Sequence, residues 1–149
     1  MRQDQIVRVY LPATLDLVRL WRTGGVIPRA ATAYGVTAEV MSAVEGDSEE
    51  EEFAVTVLAA DESLVLLASD PAAPTRRVVV VSEALAVPGE GAEVALEADI
   101  AFDDVAAVLV DDAAVVEQVS AAISQAAPEL LDDVELLWFA ADELDDLLK

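Results

Sequence analysis

Arg76-Arg77-Val78-Val79-Val80-Val81-Ser82 is the stretch on which the fold turns. Four consecutive valines leave no polar face, so this strand has to be covered on both sides. Runs of this kind mark central strands of parallel sheets, where crossover helices lie on the two faces. Asp70-Pro71 closes a helix before the run, and residues 87–91 carry a Pro/Gly turn after it.

Towards the amino terminus, Ile6-Val7-Arg8-Val9-Tyr10-Leu11 is β-branched and aromatic and predicts a strand. Pro12-Ala13-Thr14 leads into a helix with Thr14 at its N-cap and Asp16 near its positive end. Leu15, Val18 and Trp21 form that helix's apolar stripe, widened by Leu17 and Leu20, until Gly24-Gly25 stops it. Residues 30–37 are a weaker extended stretch around Tyr34. Strand, helix and strand in this order predict a parallel βαβ unit. Further on, Ser48-Glu49-Glu50-Glu51 matches a capping box with Ser48 at N-cap and Glu51 at N3. Phe53, Val57, Ala60, Leu64 and Leu67 continue one apolar face of the helix it opens.

Beyond the valine run, Val94-Ala95-Leu96 and residues 105–110 predict two more strands. Val115, Val119, Ala122, Ile123 and Ala126 mark a helix that Pro128 closes. Val134, Leu137, Ala141, Leu144 and Leu148 mark a last one. The expectation is a single α/β domain over residues 1–149: a mixed, mainly parallel sheet with helices packed on it and the valines near its centre. A ferredoxin-like α+β sandwich is the alternative.

The 149 residues carry 30 acidic and 8 basic side chains, a formal net charge of −22, and neither His nor Cys. With 55% hydrophobic residues, the chain is too apolar for a disordered acidic tail. Without imidazole or thiol there is no Ser-His-Asp triad, no Cys nucleophile, no disulfide framework and no zinc site of the usual ligands. Direct nucleic-acid binding is disfavoured, because phosphate affinity comes from Lys and Arg. The charge is also uneven. Arg2, Arg8, Arg19, Arg22 and Arg29 outnumber Asp4 and Asp16 at the start, whereas Arg76, Arg77 and Lys149 face all the remaining carboxylates. No stretch is long and apolar enough for a signal peptide or membrane span, which leaves a cytoplasmic protein as the expectation. The lysine-poor composition also overlaps with that of salt-adapted proteins.

No phosphate-binding loop of known signature is present: Gly89-Glu90-Gly91 lacks the third glycine and places a carboxylate where backbone donors are needed. Acidic pairs are plentiful. Asp111-Asp112 stands out among them as a candidate Mg²⁺ or Ca²⁺ ligand pair, because it follows a buried-looking strand at a sheet's carboxyl end. A solvated turn explains the same pair. Arg19 and Arg22 share a helix face, with Arg8 on the strand before, and could gather an anionic ligand or simply pair with surplus acids. Leu136-Leu137-Trp138-Phe139 is apolar on more than one face, which suits either a buried terminal helix or a homodimer contact through Trp138 or Phe139.

Several segments taken together resemble a family of short actinobacterial hypothetical proteins grouped as a domain of unknown function. They are Arg8-Val9-Tyr10-Leu11-Pro12-Ala13-Thr14, Glu45-Gly46-Asp47 with its acidic continuation, Arg76-Arg77 with the valines, Val110-Asp111-Asp112, and Glu135-Leu136-Leu137-Trp138-Phe139 with Glu143-Leu144. The resemblance implies a one-domain cytoplasmic protein and brings no activity, cofactor or catalytic residue. Arg8, Tyr10 and Thr14 lie where the first strand meets the first helix, a usual ligand crevice. Function therefore reads as a non-enzymatic acidic protein that binds a basic partner. The alternatives are a small ligand- or Mg-binding domain or enzyme, and a DNA-mimic inhibitor.

Overall fold

The valine run pairs with the first strand of the chain, and it does so antiparallel. In the computed structural model, residues 5–148 are described, and residues 1–4 and 149 lie outside them. The strands are β1 (Gln5–Ala13), β2 (Val26–Ile27), β3 (Ala33–Tyr34), β4 (Val78–Pro88), β5 (Glu93–Leu96), β6 (Ile100–Ala101), β7 (Val105–Val110) and β8 (Leu137–Ala140). The helices are α1 (Leu15–Gly24), α2 (Ala38–Ala43), α3 (Ser48–Ser69), α4 (Val116–Ser124) and α5 (Leu144–Leu147).

β1 runs along β4 from Gln5↔Ala86 to Ala13↔Val78. β1 also meets β3 at Tyr10↔Tyr34, β3 meets β5, and β5 folds back on β4. These four strands close a small barrel. The sheet then continues from β4 to β7 and on to β8, while β2 and β6 form a separate pair. Among the described residues every pairing is antiparallel. The expected mainly parallel sheet and its βαβ unit are thereby overturned, and the closed barrel also departs from an open ferredoxin-like sandwich.

The reason lies in what a doubly apolar run requires. It needs cover on both faces, and parallel neighbours are only one way to obtain it. Here Val78 and Val80 face a core with Leu15, Val18 and Trp21 of α1, whereas Val79 and Val81 face one with Val55, Ala59 and Ala60 of α3. A third cluster joins Leu64 and Leu67 of α3 to Val119 and Ala122 of α4 and to Leu131. Ser63, fully buried on α3, ties the end of the central pair: its hydroxyl donates to Ala13 O at 2.7 Å and accepts from Val78 N at 2.9 Å.

Local signals fare better where backbone chemistry decides them. Thr14 caps α1 by accepting from Leu17 N at 3.1 Å, and Gly25, at φ 80°, ends it in the left-handed conformation. At α3 the cap moves one residue back, to Asp47, which accepts from Glu50 N at 3.1 Å. The buried stripe of α3 keeps Ala60, Leu64 and Leu67 of the expected face and adds Val55, Ala59 and Ser63, while Phe53 is 66% exposed. The expected terminal helix is the largest local correction. Leu137–Ala140 is an edge strand on β7, and only the short α5 follows it. Strand alternation sorts its aromatic pair, turning Phe139 towards the barrel core and leaving Trp138 outside.

Candidate functional site

Arg77 precedes β4 and Asp111 follows β7, so the antiparallel register brings them side by side. Arg77 Nε donates to Asp111 Oδ2 at 2.9 Å and Arg77 Nη2 to Oδ1 at 2.9 Å. The Arg77 amide adds a third bond to Oδ2 at 2.8 Å. Both side chains are buried, Asp111 completely. Arg76 Nε reaches Asp111 O at 2.7 Å, and Arg77 Nη2 also meets Val134 O at 3.3 Å. The guanidinium thus links the sheet to the segment between α4 and β8. It is the residue at this candidate site that the sequence reading passed over. Its signal was available: Arg76 and Arg77 are the only basic residues between Arg29 and the final Lys149.

Above this pair opens a cleft of about 670 Å³. One wall is the outer flank of α3, through Phe53, Val57 and Asp61. The other is the segment through Leu131, Asp132, Asp133 and Glu135, and Leu109 and Leu136 supply the apolar floor. Arg77 lines the cleft too, but Asp111 balances its charge. The remaining carboxylates, Asp61, Asp132, Asp133 and Glu135, leave the cleft strongly negative. Burial pushes the Asp61 carboxyl above its ordinary range, Arg77 opposes the rise, and Asp132 and Glu62 add to it. Carboxylates perturbed by burial beside a cavity recur at binding sites and in structural ion-pair networks alike.

Of the residues singled out from sequence, Asp111 belongs to this pair and Trp138 lies near the cleft, whereas the others lie elsewhere. Asp111 spends both oxygens on Arg77, and Asp112 turns away to cap Ala114 N at 3.0 Å. Among the described residues, no three acids are grouped to hold a metal ion. Tyr10 and Arg8 share a face of β1 but have separate partners. Tyr10 OH donates to Glu52 at 3.2 Å, and Arg8 Nε meets Glu83 at 3.2 Å. Burial first, and then the Glu52 charge, push the Tyr10 hydroxyl up to about 12. Thr14 is occupied as the α1 cap. Arg19 bonds Asp16 at 3.0 Å and Leu148 O at 3.4 Å, and Arg22 pairs with Asp145, so these two bind the chain's own carboxyl end. Trp138 lies closer to the cleft without lining it. It stands opposite Leu109 and so shares the sheet face that floors the cleft, 59% exposed.

The profile of a family of unknown function (DUF6912) matches residues 7–148. The chain belongs to that family. DUF6912 membership therefore spans every element of the barrel and both walls of the cleft. No curated protein and no solved structure matches the chain. Among the described residues, no helix is long and apolar enough to cross a membrane.

Proposed function

We propose that this DUF6912 protein is a non-enzymatic interaction module of the cytoplasm, and that its cleft takes a basic segment of a partner protein. The observation that carries this reading is the cleft's composition. Apolar groups at Phe53, Val57, Leu109 and Leu136 line it together with the carboxylates of Asp61, Asp132, Asp133 and Glu135. An apolar lining supplies affinity through burial, and charge of one sign selects partners of the other and speeds their encounter. With no thiol and no imidazole in the chain, binding suits the residues present better than covalent chemistry does.

The test is a titration with an arginine-rich peptide at low and high NaCl, followed by tryptophan fluorescence, in which Trp138 is the exposed reporter and Trp21 the buried one. Binding at low salt that weakens as salt rises is expected. The double variant Asp132→Asn/Asp133→Asn should bind roughly tenfold more weakly, which corresponds to about 1.4 kcal/mol. No binding at low salt, or equal binding by the double variant, would overturn the reading.

A further inference from the structure

We infer that the basic segment is captured as an added strand on the outer edge of β8, with its main chain paired to Trp138. This rests on the basic-partner reading above and adds the mode of capture. The direction of the backbone groups follows from one bond. Asp111 N donates to Arg77 O at 3.1 Å, so the odd-numbered residues of β7 turn their amides towards β4. Val108 and Val110 therefore face β8, where their partners are Phe139 and Leu137. Trp138 and Ala140 are left facing outwards. Ala140 N is already taken, donating to Glu143 Oε1 at 3.0 Å. The Trp138 amide and carbonyl thus lie at the open edge of the sheet.

Edges of this kind are normally guarded by Lys, Pro or an inward-pointing charge. Leu137-Trp138-Phe139-Ala140 has none of these. Its guards are acids on both flanks, Asp133 and Glu135 before it and Asp142 and Glu143 after it. They decide the occupant. A second copy pairing antiparallel on this edge would bring the acids that precede β8 in one chain near those that follow it in the other, and such a concentration of like charge is unfavourable. A basic strand meets carboxylates at both ends instead. Alternate side chains of that strand would fall on the Trp138 face, where an arginine can stack on the indole while its neighbours reach the cleft.

The experiment uses the full chain labelled with ¹⁵N and a peptide of alternating arginine and valine. Two further peptides carry N-methyl groups, one on every arginine and the other on every valine. Main-chain pairing requires that one methylated series lose about tenfold or more in affinity while the other keeps most of it. Exchange of the Trp138 amide should slow in the complex. Equal binding by both methylated series with unchanged Trp138 exchange would overturn the added strand and leave the basic-partner reading standing. No binding by any peptide at low salt would overturn both. A Trp138 amide protected without peptide, in a chain whose mass doubles with concentration, would assign the edge to a second copy and overturn the inference.

Discussion

Arg77 lies across Asp111 as a two-pronged fork, with both contacts at 2.9 Å and the carboxylate wholly removed from water. The pair joins the start of one central strand to the end of its neighbour, directly beneath the candidate cleft. Removing one member strands a buried charge, which typically costs about 3–5 kcal/mol. Asp111→Ala should therefore be destabilised by that order in urea unfolding. The double variant Arg77→Met/Asp111→Leu should recover much of the loss, because an apolar pair leaves no charge stranded. Equal loss in the single and double variants would mean that the fork's charges are not what holds this corner.

Asp61 gives a pH-dependent prediction. Its carboxyl is raised from an ordinary 3.8, so the folded state holds the proton more tightly than the unfolded chain does. The stability this provides is full below pH 3.8 and is lost as pH rises through the folded value. At neutral pH the charged group costs stability. Asp61→Asn should thus be more stable than the parent at pH 7, by less than about 1 kcal/mol because the side chain is part exposed. The gain should vanish in acid. Thermal unfolding at pH 7 and pH 3 checks this, and an unchanged difference would count against it.

Tyr10 titrates in the opposite range. With its hydroxyl pushed up to about 12 from 10, the folded state keeps a proton that the unfolded state has released. Stability should be level below pH 10 and fall between 10 and 12. Tyr10→Phe should flatten that part of the profile, at a cost near neutrality of about 1 kcal/mol for the lost bond to Glu52. Ultraviolet titration of the phenolate follows the group directly.

A net charge of −22 on 149 residues implies self-repulsion throughout the surface. Molar NaCl should raise the melting temperature, and KCl should do the same, since screening does not depend on the ion's identity. Each kcal/mol of relieved repulsion is worth roughly 2–4 °C for a chain of this size. Mg²⁺ or Ca²⁺ that acted at micromolar level under fixed ionic strength would signal specific binding instead.

What could be read from sequence was what neighbouring residues settle among themselves. Thr14, Gly25 and the segment between Asp47 and Asp70 fix helix ends through bonds within a few residues, and those ends lie close to expectation. Strand direction is different. The four valines demand two covered faces, and α1 and α3 supply them in a barrel as well as crossover helices would in a parallel sheet. The apolar Leu136-Leu137-Trp138-Phe139 has no clear period, so only its pairing with β7 decides that it is a strand. The site was still less legible. Val57 and Phe53 read as core because their spacing is helical, yet they line the cleft. Arg77 and Asp111 meet across 34 residues, a contact that no local pattern announces.

The closure of the barrel by β1 on β4 also sets an order of events during synthesis. β1 is synthesised before its eleven-residue partner β4, which begins about 65 residues after β1 ends, at Val78. At ~5–20 residues per second, the strand waits roughly 3–13 s for its mate. During that interval Val9, Leu11 and Tyr10 have α1, α3 and the brief β3 for cover but lack the strand that closes the barrel. The nascent chain is most exposed to aggregation and chaperone capture in this window, and a pause in translation before Val78 would lengthen it.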